Sequence, residues 1–427
     1  MKKKLINPAK PKKKHLPLLK ALLEQTSDNT QGWHESNYYQ IIYKKKKIKV
    51  ALTNAIIKRE SKKGGSRYEA IDATPLGKGS YGVVYPVNVT IKFTESELIF
   101  KEKSYGKRRI VKQRPYSTKT MDDAVNEYIL TSMTPHSHPK SPVKFGQHIY
   151  SVSRRMEGRE LFDILNDDLS GKHKLTLEER FMLSKRLIEA LQTQVVAAGL
   201  VHRDLKPENI IVELSEGLVG TIDFGLAKID NSLADDDAVG SPLYVSPEVL
   251  LGRGTTQQSD IYGLGRILAL LWRTDLTSYD TSLNGRQLLQ VARNNHYHLF
   301  DGIEAGLNKK AALTIKKVIE GMTAYDPAGR MSLNKAFLKF QKAEGFQFPK
   351  EIQRTTSPGL FQNAKNNNVL NEFKTDLKEE QSQDIEEVPL AKPKKKKWSL
   401  FFKTTKEEKP LITTKKEQGP ASNDSFS

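Results

Sequence analysis

Cysteine does not occur in the 427 residues. Its absence excludes disulfides, thiolate catalysis and cysteine-based zinc sites, and it suits a reducing compartment. No run of 18 or more apolar residues occurs, so a transmembrane helix is not expected. The opening MKKKLINPAKPKKKHLPLLKALL is basic but lacks a long apolar core and a small-residue cleavage site, so it does not read as a secretory signal. Internal repeats are missing as well. Negative charge is scarce in residues 1–70, where 18 lysines and arginines face 5 acidic residues. The whole chain has a net charge of +19, and residues 351–427 hold 14 basic against 12 acidic side chains. The basic excess is therefore mostly N-terminal. Nucleic acid, an anionic membrane and acidic proteins are open as partners of that segment, as is the plainer reading of a solvated arm.

With 37% hydrophobic residues, the chain can bury one large two-lobed domain with extensions, or two ordinary domains. Lys and Pro dominate residues 1–15, which are expected to be disordered. Apolar clusters at Leu16–Leu23, Tyr38–Tyr43 and Ile48–Ile57 suit a helix and strands, and SKKGGS at 61–66 reads as a linker or turn. Beyond Phe348, NAKNNN, KEEQSQDIEE and KPKKKK signal a largely disordered tail. Between these flanks, strands are expected over 68–76, 83–93, twice within 98–112, and over 147–156, with a helix over 121–133. Long amphipathic segments follow at 176–198, 258–272, 310–323 and 332–343. The expected fold class is α+β, with a small β-rich lobe (67–155), a larger helical lobe (156–346) and a cleft between them. A basic extension (1–66) and a tail (347–427) flank that domain.

Three motifs carry chemistry. Gly77-Lys78-Gly79-Ser80-Tyr81-Gly82, with Val84 just beyond, can turn tightly and bring backbone N–H groups to phosphates. The same spacing serves dinucleotide folds, but those need a helix next, and VVYPVNVTI is strand-like. His202-Arg203-Asp204-Leu205-Lys206-Pro207-Glu208-Asn209 is far more specific. Asp204 can orient an attacking hydroxyl and take its proton, and Lys206 can offset charge on a transferring phosphoryl group. Asn209 offers a hard oxygen suited to Mg²⁺. Asp223-Phe224-Gly225 follows an apolar stretch, and its carboxylate can hold Mg²⁺ against phosphate oxygens.

In this order, the motifs make residues 68–346 resemble the eukaryotic-type protein kinase superfamily. The resemblance implies a bilobal serine/threonine kinase using ATP and Mg²⁺, with Mn²⁺ as an alternative. It implies that Lys112, in Ile110-Val111-Lys112, contacts the α/β-phosphates and pairs with Glu127, with Lys101 and Lys92 as competitors for that role. The span from Val84 to Lys112 is longer than usual and implies an insertion. In HIYSVSRRMEGRELFDIL, Ser153 matches the gatekeeper, and Arg154 to Met156 match the hinge that meets adenine. Glu248 and Arg330 match a structural ion pair, and Asp260 matches the brace of the catalytic loop. Lys206 together with Ser241 fits Ser/Thr rather than Tyr specificity. Arg203 often binds an activation-loop phosphate in such kinases. Here Asp235-Asp236-Asp237 stands where that phosphate would be, which implies activity without phosphorylation, and Ser232 is a candidate autophosphorylation site.

The divergent region before Lys112 and the Lys/Asn-rich, cysteine-free extensions are similar in style to translocated effector kinases of Legionella-type bacteria. That likeness implies delivery into a host cell and host substrates. Lys392–Lys403 interleaves lysines with Trp398, Phe401 and Phe402, which suits an anionic membrane surface or a nuclear import signal. A soluble intracellular protein with Ser/Thr-bearing protein substrates is expected, and nucleic acid is not expected as a substrate. The alternative is a pseudokinase scaffold that binds nucleotide or partner proteins. A small-molecule or lipid kinase fits less well, because GSPLYVSPE (240–248) resembles a peptide-binding platform.

Overall fold

A computed structural model describes residues 3–25, 32–34, 37–60, 66–79, 82–93, 98–104, 107–230, 239–273, 280, 282–295 and 297–349. The first part of the chain holds β1 (Lys3–Ile6), α1 (Leu16–Gln25), β2 (Gly32–Trp33), β3 (Tyr39–Tyr43), β4 (Lys46–Leu52), β5 (Ile56–Glu60) and β6 (Ser66–Ala70). Then come β7 (Gly77–Gly79), β8 (Gly82–Val87), β9 (Val89–Phe93), β10 (Leu98–Glu102), β11 (Arg109–Pro115), α2 (Thr118–Met133), β12 (Lys140–Phe145) and β13 (His148–Arg154).

These strands form three sheets, ordered β1-β4-β3, β10-β9-β6-β5-β2 and β12-β13-β11-β8-β7. The third carries the glycine-rich turn and Lys112. The second was not anticipated. Asn88 divides the expected strand over 83–93 into β8 and β9, which enter different sheets. The insertion before Lys112 is therefore a hairpin, β9–β10, and it pairs with β6 and hence with the N-terminal strands.

Alternation along the strands explains the layering, because successive side chains point to opposite faces. Ile56 joins a core with Leu19 and Leu22 of α1, Trp33, Ile41, Val50 and Ile91. Its neighbour Ile57 joins another core with Val87, Val111, Tyr150 and Val152. The second sheet thus packs α1 and the first sheet on one face and the catalytic-lobe sheet on the other. His34 adds a polar tie at this junction, stacked on His148 at 5.4 Å with their ring nitrogens 3.3 Å apart. The expectation that residues 1–15 lack structure is corrected: β1 pairs with β4, and Ile6 is fully buried. The boundary expected after residue 66 falls within β6, which pairs with β5.

The helical lobe follows with β14 (Arg159–Glu160), α3 (Leu161–Leu169), α4 (Leu177–Ala190), β15 (Leu200–Val201), β16 (Ile210–Glu213), β17 (Leu218–Thr221) and β18 (Lys228–Ile229). It ends with α5 (Pro247–Leu250), α6 (Gln257–Leu271), α7 (Gly285–Asn294), α8 (Lys309–Met322) and α9 (Leu333–Gln347). Capping boxes start α4 at Thr176 and α6 at Thr256, satisfying N–H groups that a helix end leaves open. The expected helix over 176–198 ends at Ala190 and continues as a π turn and a short 3₁₀ turn. Helix α6 is buried from Ser259 to Leu271. Asp168 is fully buried and receives both Arg180, at 2.7 Å, and Arg273, at 3.1 Å. Among the described residues, no helix is long and apolar enough to cross a membrane.

Candidate active site between the two lobes

A cleft of about 440 Å³ separates the third sheet from the helical lobe. Leu76, Gly77 and Val84 line it from above and Ile211 and Ile222 from below, while Arg154 to Met156 close one end. Its size and apolar walls suit a drug-sized ligand. Ile110, Lys112 and Arg114 share one face of β11 by alternation. Val111, between them, points into the opposite core. Register places Ser153 directly across from Ile110. Gly82 is required where it stands: its φ is +122°, and a Cβ there would lie 2.4 Å from the Gln113 carbonyl oxygen. Gly77, Lys78 and Gly79 form β7, paired with β8, while Ser80 and Tyr81 lie outside the described residues.

Lys112 Nζ sits 3.2 Å from Glu127 Oε1 and 2.8 Å from Asp223 Oδ1. Lys101 and Lys92, the competitors, are exposed residues of the second sheet. Helix α2 delivers Glu127, and its start is fixed by a capping box between Ser117 and Thr120. Arg114 was missed by sequence reasoning. It is buried and donates to Glu127 Oε2, so one carboxylate meets two cations. Its two-residue offset from Lys112 on a strand was the available signal. Burial pushes the Asp223 carboxyl up, but Lys112 outweighs that and holds it below the usual range, with His202 and Arg114 adding to the effect.

The loop before β16 carries the second constellation. Ser241 Oγ donates to Asp204 Oδ1 at 2.8 Å, and Lys206 Nζ donates to the same Oγ at 2.8 Å. Lys206 also lies 3.3 Å from Asp204 Oδ2. Asn209 Nδ2 donates to the Asp204 carbonyl at 2.8 Å and to Oδ2 at 3.1 Å. With its amide nitrogen so engaged, the Asn209 oxygen is the group left to meet a cation. Asn209 and Asp223 both line the cleft, and their hard oxygens fit Mg²⁺. Asp260 accepts the N–H groups of His202 at 2.6 Å and Arg203 at 3.1 Å. His202 accordingly stays fully buried, with its ring 4.9 Å from that of Phe224 and Nε2 3.0 Å from the Ile222 carbonyl.

Arg203 and Asp223 both adopt left-handed backbone, with φ of 68° and 62°. Non-glycine residues held there concentrate at functional sites. Glu248 and Arg330 form the buried pair expected of them, at 2.6 and 2.7 Å. Gly240 has a φ of +108°, and a Cβ there would meet the Arg203 carbonyl oxygen at 2.4 Å. Ser232 and Asp235 to Asp237 lie outside the described residues, as does the segment 392–403.

Comparison with known proteins agrees with this geometry. The family model for the protein kinase domain matches residues 71–339, more than half of the chain. A probable serine/threonine-protein kinase 2 of Plasmodium falciparum is 27% identical over 259 residues, covering 60% of this chain and 46% of the relative. CBL-interacting protein kinase 28 of Oryza sativa is 26% identical over 268 residues, 61% of this chain and 56% of the relative. A calcium and calcium/calmodulin-dependent serine/threonine-protein kinase of Pisum sativum is 29% identical over 215 residues, 48% of this chain and 38% of the relative. The chain thus matches only about half the length of these relatives. The fold, the loop order and the matched span lead to one conclusion: the chain belongs to the protein kinase domain family.

Proposed function

We propose that the protein transfers the γ-phosphoryl group of ATP to serine and threonine hydroxyls of protein substrates. The observation that carries this reading is the bonding of Ser241 to Asp204 and Lys206. In it a hydroxyl donates a hydrogen bond to a carboxylate while an ammonium donates to the hydroxyl oxygen, which supports the reading. A substrate hydroxyl bound at Asp204 would be oriented in the same way, and Asp204 would then take its proton. Lys112 would bind the α/β-phosphates while Glu127 and Arg114 hold its strand and helix together. Gly77 to Gly82 would cover the phosphates, Val84 and Ile211 would enclose the base, and Arg154 to Met156 would meet its edge. Asn209 and Asp223 would hold Mg²⁺ or Mn²⁺, which supplies positive charge against the phosphate oxygens.

Three finer readings belong with this proposal. Asp235 to Asp237 would serve Arg203 in place of an activation-loop phosphate, giving activity without phosphorylation. The 392–403 segment would attach the chain to anionic membrane. The likeness to translocated bacterial kinases favours host proteins as substrates. Incubation of the full chain with peptide pools bearing only Ser, Thr or Tyr tests the main reading. Phosphorylated Ser and Thr peptides are expected. ATP binding without any product, across Mg²⁺ and Mn²⁺ conditions, would instead identify a scaffold.

A further inference from the structure

The first sheet contributes no residue to the lining of the catalytic cleft, and its outer face is exposed. Strand alternation turns Gln40 and Ile42 of β3, Lys47 and Lys49 of β4, and Leu5 of β1 away from the core. Register sets Ile42 opposite Lys47 and Gln40 opposite Lys49. Ile42 is 59% exposed, Leu5 56%, and Tyr38, just ahead of β3, 57%. Apolar groups and lysines therefore interleave on one face.

The hairpin tip adds a second observation. Lys44 and Lys45 join β3 to β4 with φ of 48° and 60°. A two-residue turn with both centres left-handed is the geometry that Asn-Gly or Asp-Gly serves. Lysine side chains there oppose the local conformational preference. With Lys46 and Lys47 they make four adjacent, exposed lysines at one tip. Charge is thus concentrated where the backbone favours other residues, which points to a role for the charge itself.

We propose that this face docks on an anionic lipid bilayer, with Lys44 to Lys47 among the headgroups and Leu5, Ile42 and Tyr38 at the acyl boundary. Charge complementarity selects an anionic surface, and the interleaved apolar side chains select a bilayer over a hydrated polyanion. Residues 1–58 contain no arginine, the side chain best suited to forked phosphate recognition in nucleic acids. Edge pairing with a peptide strand is blocked at Ile42, whose N–H and C=O both bond the Gln25 amide at 2.8 Å.

The test is co-sedimentation of the full chain with phosphatidylserine/phosphatidylcholine vesicles, against pure phosphatidylcholine and against a short RNA duplex. The double variant Lys44→Asn/Lys45→Gly supplies the residues that the turn prefers, so its Tm should hold or rise. Its partitioning onto anionic vesicles should fall about 30-fold, on the scale of two lost charges. A full chain with Lys394 to Lys397 replaced by Ser should still show that hairpin-dependent fall, which separates this face from the tail. Undiminished partitioning of the double variant, equal binding to neutral vesicles, or binding of the RNA duplex with no vesicle binding would each overturn the proposal.

Discussion

Lys112 touches two carboxylates, and Glu127 meets a second cation through its other oxygen. Arg114 is that cation. Lys112, Arg114, Glu127 and Asp223 balance two positive against two negative charges in a partly buried space, so removing any one leaves a costly remainder. Arg114→Leu should lower kcat about tenfold through loss of one charge-assisted hydrogen bond. Arg114→Lys should recover most of it, and steady-state kinetics with ATP varied would check both. No recovery by Lys would limit Arg114 to packing. Ser153 faces Ile110 across the strand pair and lines the cleft with a small side chain. Bulky purine-analogue inhibitors should act on wild type and fail on Ser153→Phe, as read by dose–response curves. Sequence singled out Asp204, Asn209 and Asp223 on family motifs, and Lys112 and Glu127 on Ile110-Val111-Lys112 and the helix after it, and the structure brings Lys112, Glu127 and Asp223 together. Arg114 was hidden because its partner lies on another element: the two-residue offset puts it on the face of Lys112 but does not point to Glu127 of α2.

At the scale of elements, buried ion pairs fix the helical lobe. Glu248 precedes α6 in the chain, and Arg330 follows α8. Burial pushes the Glu248 carboxyl up, but Arg330 outweighs it and holds the folded-state value below the ordinary one. A depressed carboxyl contributes stability that is fully present above its unfolded value and lost as pH falls through its folded value. Denaturation midpoints should therefore drop as pH falls below about 4.3, the unfolded glutamate value. Arg330→Met should cost about 3–5 kcal/mol at neutral pH by stranding Glu248, and it should flatten the acid limb. A midpoint as steep in the variant as in wild type would count against this pair. The long helices α4, α6, α8 and α9 were legible because their apolar spacing repeats over many turns, whereas α7 was not singled out. Short strands were harder. Residues 83–93 read as one run, since nothing in the local alternation shows that Asn88 sends its two halves into different sheets.

Across the molecule, the N-terminal segment and the β9–β10 hairpin are one structural unit built from two distant stretches of sequence. Lysine-rich composition suggested a solvated arm, yet its apolar residues meet around Trp33 and α1. Composition averages over positions, whereas burial depends on which residues the sheet brings together. Deleting residues 1–52 should uncover Ile56, Tyr68, Ala70 and Ile91 and leave an aggregation-prone protein, measurable by soluble yield and hydrogen exchange in β9 and β10. A soluble, monomeric truncation with unchanged protection there would contradict the shared core. The central claim concerns catalysis and is tested most directly by phosphotransfer from γ-labelled ATP with Mg²⁺, comparing wild type with Asp204→Ala at matched folding. The account predicts phosphoserine and phosphothreonine from wild type and a loss of about a thousandfold or more in the variant, within the range of about 10²–10⁴ for a positioned general base. Equal transfer by both proteins, or none by a wild type that binds ATP, would contradict it.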